Sequence, residues 1–150
     1  MAESRRGQPL RLVLDTNIIV SASLWRGAPL RLLQLSSEHD AITLFTSEAL
    51  LDELRNTLGY RKFAKRITSA GSSVEELVTL YKALAETIIP APIEALVPRD
   101  KDDDMMVAAA IGASAHAIVS GDRDLIELEY VAGIAVLRAK ETIELIEGQK

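Results

Sequence analysis

The chain has 150 residues, of which 48% are hydrophobic and 26% charged, and these proportions are typical of a single folded domain and exclude intrinsic disorder. It contains no cysteine, which excludes disulfide scaffolds, thiolate zinc sites, iron–sulfur clusters and cysteine nucleophiles. The net charge of −5 argues against a generally basic nucleic-acid-binding surface, although it is compatible with a local basic patch.

The distribution of apolar residues along the chain predicts strands and helices in alternation. Strands are predicted at residues 10–14, 41–45, 117–120 and 134–137. Helices are predicted at residues 16–24, from Pro29 onward, and at 47–58, 73–88, 105–115, 122–128 and 140–147. Because strands separated by helices pair in parallel through crossovers, the predicted fold class is α/β, a three-layer α/β/α sandwich around a central, mainly parallel sheet.

Two of these helices have distinctive apolar patterns. The sequence Ser73-Val-Glu-Glu76 is a capping box, and the helix that it opens would carry on one face Leu77, Leu80, Tyr81, Leu84 and Ile88. Residues 105–115 are apolar on every side, which predicts a helix that is buried all round. The preceding stretch, 90–104, is rich in proline and then in charge, which predicts a loop.

The predicted domain covers residues 10–147, and residues 1–9 are expected to form a flexible tail. This tail is polar and lacks the apolar core of a signal peptide. The longest apolar-looking stretch falls short of the roughly 20 residues that a bilayer span requires. The chain is therefore expected to be a cytoplasmic protein without membrane contact.

Acidic residues follow directly after two of the predicted strands. Asp15 follows the first strand, Asp122 follows the third, and Asp124 lies on the same turn as Asp122. Three successive aspartates, 102–104, stand at the start of the helix that leads into the third strand. Ligands of parallel α/β sheets bind beyond the carboxyl ends of the strands, so we expect these acids to meet at one rim. On the helix at 47–58, the acid at the border of the apolar stripe is Glu53, and its side chain could reach the same edge of the sheet.

A cluster of carboxylates needs a cation or protons to offset its repulsion. The chain has no cysteine, and neither His39 nor His116 is expected to bind a metal, so an all-oxygen site for one or two Mg²⁺ or Mn²⁺ ions is predicted. Such an ion lowers the pKa of a bound water and stabilises charge on a phosphate. The cluster therefore predicts hydrolysis of a phosphodiester by metal-activated water.

Each acid also has a structural explanation, and these alternatives stay open. Asp15 could cap the helix that begins at Thr16, and the aspartates at 102–104 could cap their own helix or complement its dipole. Asp122 could serve a common turn. Glu53 could be an ordinary border residue of an amphipathic helix.

A basic segment at residues 55–66 is a separate signal. It contains no acid, and Tyr60 and Phe63 are interleaved with its basic residues, which are Arg55, Arg61, Lys62, Lys65 and Arg66. In a chain of negative net charge, this local concentration suits the phosphates of a nucleic acid. The alternative is a solvated helix face.

Four segments of the sequence resemble, in order, the motifs of the PIN-domain ribonuclease family. They are Val13-Leu-Asp-Thr-Asn-Ile18, Ser47-Glu-Ala-Leu-Leu-Asp-Glu-Leu54, Arg99-Asp-Lys-Asp-Asp-Asp-Met-Met-Val-Ala-Ala-Ala110 and Val119-Ser-Gly-Asp-Arg-Asp-Leu125. The resemblance extends from residue 11 to about residue 146. It is strongest to small stand-alone prokaryotic PIN proteins that are described as toxin components of toxin–antitoxin systems. Lys101 stands where many of those relatives have proline.

The resemblance implies a PIN-like fold and a Mg²⁺- or Mn²⁺-dependent endoribonuclease that cleaves single-stranded RNA. The implied catalytic and metal-binding acids are Asp15, Glu53, Asp104 and Asp122, with Asp124 as an accessory ligand. Thr16, Asn17 and Ser120 would orient the carboxylates or water by hydrogen bonds, and the basic residues of 55–66 would hold the RNA backbone. A homodimer and a small antitoxin that occludes the site are the implied partners.

Two other functions compete with this interpretation. One is a non-catalytic PIN-like module that binds RNA or a partner chain, and the presence of all four motif acids counts against it. The other is a phosphatase of the haloacid dehalogenase type, which carries a second Asp two residues after the strand-end Asp. Here Asp15 is followed by Thr16 and Asn17, so the phosphatase is discounted.

Overall fold

The structure is a computed structural model that describes residues 9–38, 40, 42–92 and 101–148, with the backbone alone described at 101–103. Its strands are β1 Leu10–Leu14, β2 Ile42–Thr46, β3 Glu86–Thr87, β4 Ala117–Val119, β5 Tyr130–Val131 and β6 Ile134–Leu137. Its helices are α1 Thr16–Leu24, α2 Ala28–Glu38, α3 Glu48–Leu58, α4 Arg61–Ser69, α5 Val74–Leu84, α6 Lys101–Gly112, α7 Arg123–Ile126 and α8 Ala139–Glu147. Across these ranges, every helix is too short or too polar to span a bilayer. The predicted tail, apart from Pro9, and His39 lie outside the described residues.

Within the described ranges, the strands form one six-stranded sheet in the order β3-β2-β1-β4-β6-β5. All neighbours pair in parallel except β5 and β6, which confirms the predicted mainly parallel sheet. The chain runs from the central β1 outward to β2 and β3, and then returns to place β4 on the other side of β1. The carboxyl ends of β1 and β4 therefore flank the point at which the winding reverses, where α/β sheets bind their ligands.

Alternating strand residues face opposite sides of the sheet, and helices cover both sides. On one side, Leu12, Leu44 and Val119 belong to a core that includes buried residues of α1, α2, α3, α4, α5 and α8. On the other side, Val13 and Ile118 belong to a core built mainly with α6 and α7. The result is the three-layer α/β/α architecture that the sequence predicts.

Three elements, β3, β5 and α4, were not predicted, and α5 ends earlier than predicted. β3 and β5 have two residues each, which is too short for an alternating pattern, and their conformation is set by pairing with β2 and β6. The helix expected to reach Ile88 stops where α5 ends, because the Ile88 N–H donates to the Thr46 carbonyl at 2.9 Å and follows the edge of β2. Leu80, predicted on the buried face, is 61% exposed, since α5 packs through Val78 and Tyr81 instead.

The helix α6 also differs from the prediction at both ends. It begins at Lys101, inside the stretch predicted as a loop at 90–104, and it ends at Gly112, earlier than expected. Residues 106–110 are buried, in agreement with the predicted apolar helix. A Cβ on Gly112 would lie 2.5 Å from the carbonyl oxygen of Ile89, so glycine is needed where the segment after β3 crosses the end of α6.

Candidate active site

Asp15 and Asp122 lie just beyond the carboxyl ends of the neighbouring strands β1 and β4. The Asp15 N–H donates to the Val119 carbonyl at 2.9 Å, which extends the pairing of the two strands beyond β1. On the other side of β4, the Ser120 N–H donates to the Leu137 carbonyl at 2.9 Å. Backbone hydrogen bonds therefore fix Asp15 and Ser120 side by side where the winding of the sheet reverses.

The Ser120 hydroxyl joins the two acidic residues. It is fully buried, donates to Asp15 Oδ2 at 2.7 Å and accepts from the Asp122 backbone N–H at 3.0 Å. A hydroxyl suits this position because it donates and accepts at once, so one side chain holds both the Asp15 carboxyl and the turn that bears Asp122. This is the type of hydrogen bond expected of Ser120 from the sequence.

The two acids differ in how far a structural role explains them. Asp122 is the N-cap residue of α7, and its Oδ1 accepts the Asp124 backbone N–H at 2.9 Å. A structural role in the turn therefore accounts for one of the two carboxylate oxygens of Asp122. The side chain of Asp124 is exposed. Asp15 is the N-cap residue of α1, and the side-chain hydrogen bond that its carboxyl accepts comes from Ser120. The Asn17 and Thr16 N–H groups also stabilise its carboxylate, so capping explains only part of the position of Asp15.

Burial raises the pKa of the Asp15 carboxyl above its ordinary value of 3.8. The hydrogen bond from Ser120 and the N–H groups at the start of α1 lower this pKa, and the negative charge of Asp122 raises it further. A partly buried carboxylate next to a second carboxylate is a position at which a cation is favoured. The donor set consists of carboxylate oxygens beside a hydroxyl, and this chemistry fits Mg²⁺ or Mn²⁺.

Glu53 and Asp104 are carried by two helices of the surrounding layers. Both residues are half-buried, Glu53 on α3 beside the buried Leu54, and Asp104 in the first turn of α6. α6 packs against β1, β2, β4 and α3. Because α6 leads through a short connection into the amino end of β4, its first turn lies towards the carboxyl edge of the sheet.

Within the described residues, no three acidic or histidine side chains lie close enough together to hold a metal ion. The side chains at 102–103 are outside that description. The structure thus brings Asp15 and Asp122 together as a pair, and the convergence of four carboxylates stays a prediction. His116 has a structural contact, since its Nδ1 accepts the Arg11 backbone N–H at 2.9 Å next to β4.

Two polar residues at the same edge of the sheet were not among the predicted site residues. Thr46 ends β2 and is buried, and Arg138 follows β6 and is exposed. The signal was available, because each stands at the end of an apolar strand, as Asp15 does. Of the residues predicted to orient the site, Thr16 is buried in the first turn of α1 and Asn17 is exposed.

The five predicted RNA-binding residues divide into two groups. Arg55 lies on α3, and its guanidinium contacts Asp52 Oδ1 at 2.9 Å and Glu75 Oε2 at 2.7 Å. The other four are exposed on α4 and, in the part of the chain that the structure describes, form no ion pair with a carboxylate: Arg61, Lys62, Lys65 and Arg66. The charge of Arg55 is therefore engaged within the protein, whereas α4 presents its charges to solvent.

Comparison with known proteins places this fold and these residues in a family. A family model described as PIN domain matches residues 11–124. No curated protein matches the chain significantly. Among solved structures, a chain in the crystal structure of VapBC2 from Rickettsia felis bound to a DNA fragment from their promoter is similar, with a TM-score of 0.58 and 15% identity. The match covers 85% of this chain and 98% of that chain, and at this identity it describes a shared fold.

Proposed function

The chain belongs to the PIN-domain family, and we propose that it is a divalent-metal-dependent endoribonuclease that cleaves single-stranded RNA. PIN domains are generally nucleases, and they generally use divalent metal ions. The observation that carries the proposal is the hydrogen-bonded unit of Asp15, Ser120 and Asp122, which holds two carboxylates where the winding of the sheet reverses. Burial of Asp15 adds support, because a desolvated carboxylate gains more from a nearby cation than an exposed one.

The proposed ligands of the ion are acids from different elements of the fold: Asp15, Glu53, Asp104 and Asp122, with Asp124 as an accessory ligand. One or two Mg²⁺ or Mn²⁺ ions would lower the pKa of an attacking water and stabilise the charge that develops on the phosphate. Ser120 keeps Asp15 Oδ2 in place, so the carboxyl does not need to reorganise during the reaction. Thr16 and Asn17, at the start of α1, would orient the same carboxyl or a water by hydrogen bonds.

The RNA backbone is proposed to lie along the exposed basic side chains of α4, since no described carboxylate neutralises them. Arg138 adds a positive charge at the end of β6, beside the strand that leads into Ser120. Arg55 contributes less, because Asp52 and Glu75 already occupy its guanidinium.

The proposed biological setting is the toxin of a toxin–antitoxin pair. The likeness in fold to a chain of the VapBC2 complex supports a small antitoxin as partner. A homodimer and a cytoplasmic location are part of the same proposal, by analogy with the small PIN proteins that the sequence resembles.

The proposal is tested by titrating cleavage of a single-stranded RNA with Mn²⁺ and Mg²⁺, using the wild type beside Asp15→Asn and Asp104→Asn. We expect cleavage by the wild type that requires an ion, and little or none by either variant, each of which should remain folded. Cleavage by Asp15→Asn at the wild-type rate would identify a contaminating nuclease. An Asp15→Asn protein that is unfolded would favour a purely structural role for this residue.

A non-catalytic RNA- or partner-binding module is the second candidate function. It is favoured by the observation that no three acidic or histidine side chains of the described residues lie within reach of one ion. This candidate predicts RNA binding that is unaffected by removal of metal, with no cleavage in the presence of any ion. The same titration therefore separates the two functions.

A further inference from the structure

Three aromatic side chains from two distant segments form an exposed cluster at the end of α1. Trp25, directly after α1, meets Phe63 of α4 edge to face, with ring centroids 6.0 Å apart. Tyr60, directly before α4, stacks parallel to Phe63, with centroids 6.4 Å apart and 11° between the ring planes. Trp25 is 42% exposed and Tyr60 53% exposed, while Phe63 is half-buried against the core. We call Trp25, Tyr60 and Phe63 the aromatic ledge.

Basic side chains surround the aromatic ledge and fix part of it. The Arg66 guanidinium lies 4.6 Å from the centre of the Trp25 ring, and its Nε donates to the Leu24 carbonyl at 2.7 Å. The Lys62 ammonium lies 5.1 Å from the centre of the Phe63 ring. Arginine over an indole face both orients the ring and adds a cation beside it. The ledge is thus preorganised and positively charged.

A line of accessible residues joins the aromatic ledge to the acidic residues. The residues of α1 that are not buried are Asn17, Ser21 and Ser23, and Asn17 and Ser21 are followed at the same spacing of four by Trp25. Residues four apart lie on one side of a helix. α1 has nine residues, so about 14 Å separate its two ends, with Asp15 at one and Trp25 at the other. This distance is short enough for one nucleic-acid strand to reach both ends.

Packing explains only part of the aromatic ledge. Contact between Trp25 and Phe63 attaches α4 to the end of α1, and α4 itself buries only Ile67 in the core. Tyr60 adds little to this attachment, because more than half of it is exposed. Accessible aromatic rings among cations that no described carboxylate neutralises are the combination with which proteins bind unpaired bases and their phosphates.

We propose that the aromatic ledge is a base-stacking site for single-stranded RNA, outside the acidic centre and continuous with it along α1. The proposal rests on the proposed function for the identity of the ligand, and it specifies the feature of the substrate that is recognised, namely unpaired bases on one side of the reacting phosphate. The basic residues of α4 hold the phosphates of the same strand. Stacking does not discriminate strongly among bases, so the ledge selects single strands rather than a particular sequence.

Trp25 is the single tryptophan of the chain, so its fluorescence reports directly on the aromatic ledge. The test titrates the full chain, without divalent ions, with a single-stranded oligoribonucleotide of about eight residues. The comparison ligands are the same oligomer with abasic sites, the corresponding duplex, and a polyglutamate peptide of equal charge. We expect quenching by the single strand and binding at least about fivefold weaker for the abasic oligomer and the duplex.

Substitutions at Tyr60 test the ledge without removing the fluorescent reporter. Tyr60→Leu should weaken binding of the single strand about fivefold or more, and Tyr60→Phe, which keeps the ring, should bind as the wild type does. Tyr130→Leu is the matched control, because Tyr130 is 67% exposed on β5 and lies outside the ledge. Circular dichroism confirms that each variant is folded.

Two results would overturn the base-stacking site. One is equal affinity for the single strand and its abasic form, or for Tyr60→Leu and the wild type. The other is equal quenching by polyglutamate, which would indicate a surface for an acidic protein segment. A wild type that stacks the single strand but never cleaves it would contradict the proposed nuclease alone, and a nuclease indifferent to Tyr60→Leu would contradict the ledge alone.

Discussion

The carboxyl edge of β1 and β4 and the aromatic ledge are built in opposite ways. At the edge, strand pairing fixes the backbone, and a fully buried hydroxyl fixes the Asp15 carboxyl. At the ledge, Trp25 and Tyr60 flank helices and present rings that are about half accessible, and the Arg66 guanidinium rather than a strand holds the Trp25 ring. The first region holds charge in a desolvated position, and the second offers flat surface to solvent.

Because of this difference, the two regions are expected to affect the stability of the folded chain and the binding of RNA in different ways. Burial of Asp15 disfavours its charged form, so the edge lowers the stability of the folded chain in exchange for a preorganised acidic site. The ledge has no comparable cost in stability, because the basic residues of α4 beside it are exposed to solvent. Substitutions at the edge should therefore change the reaction strongly, while substitutions at the ledge should change affinity moderately.

The largest effects are expected at the proposed ion ligands, including Asp122. Asp122→Asn should lower the rate of RNA cleavage by about 100-fold or more, since removing a ligand costs at least as much as removing the groups that support it. Asp124→Asn should cost less, because Asp124 is exposed and its hydrogen bond to Asp122 is donated by its backbone N–H, which the substitution keeps. Asp52→Asn is the control, as Asp52 is an exposed acid paired with Arg55. Equal rates for Asp122→Asn and Asp52→Asn would place the reaction elsewhere.

A smaller effect is expected at Ser120. Ser120→Ala removes the hydroxyl that holds Asp15 Oδ2 and the Asp122 N–H, so cleavage should fall about 10- to 100-fold. The free energy of unfolding should fall by about 1–3 kcal/mol, measured by urea denaturation. Ser23→Ala, which removes only a hydroxyl bonded to the Ile19 carbonyl within α1, should keep wild-type activity. A fully active Ser120→Ala would show that Asp15 needs no orientation.

The pH dependence of stability tests the burial of Asp15. Its pKa is raised in the folded chain above the ordinary 3.8 of the unfolded chain. At a pH between the unfolded-state pKa and the raised folded-state pKa, the folded state therefore binds more protons than the unfolded state. The wild type should therefore lose stability relative to Asp15→Asn as the pH rises from below 4 through the raised pKa, with a constant difference above it. Thermal unfolding without divalent ions, at several pH values, measures this difference. A relative gain in stability with rising pH would contradict the burial.

The smallest effect is expected at the basic residues taken singly. Lys65→Gln should weaken RNA binding slightly and reduce the salt dependence of log Kd by about one phosphate contact. Arg55→Gln should leave the salt dependence unchanged, because Asp52 and Glu75 engage that guanidinium in the folded chain. Tyrosine and tryptophan remain untouched in both variants, so Trp25 fluorescence serves as the readout. An equal salt dependence of log Kd for the two variants would contradict the proposal that α4 binds the RNA phosphates while Arg55 of α3 does not.

The sequence predicted where Asp15 and Asp122 lie, because a polar residue just after an apolar strand of a parallel sheet lies at the carboxyl edge of that sheet. That reasoning applies to Asp15 and Asp122, which the structure pairs through Ser120. Their role as ion ligands stays a prediction. The sequence could not predict how far Glu53 and Asp104 lie from Asp15, because that distance depends on how α3 and α6 pack over the sheet. The same reasoning extends to Thr46, which ends β2, and to Arg138, which follows β6, although neither was predicted as a site residue.

The remaining differences concern long-range contacts that no local pattern encodes. Two-residue strands such as β3 and β5 exist only through their neighbours, and Ile88 follows β2 rather than its own apolar periodicity. The pairing of Arg55 with Glu75 depends on α3 meeting α5. The contact of Trp25 with Phe63 likewise depends on α4 returning to the end of α1.

Binding of Mn²⁺ to the purified full chain, measured by calorimetry without RNA, examines the paired acids most directly. We expect saturable binding to the wild type and to Asp52→Asn, and loss of that binding in Asp15→Asn and in Asp122→Asn, with all four proteins folded. If Asp15→Asn and Asp122→Asn both bind Mn²⁺ as tightly as the wild type, then the carboxylates of these two residues do not form the ion site, and the proposed chemistry does not take place there.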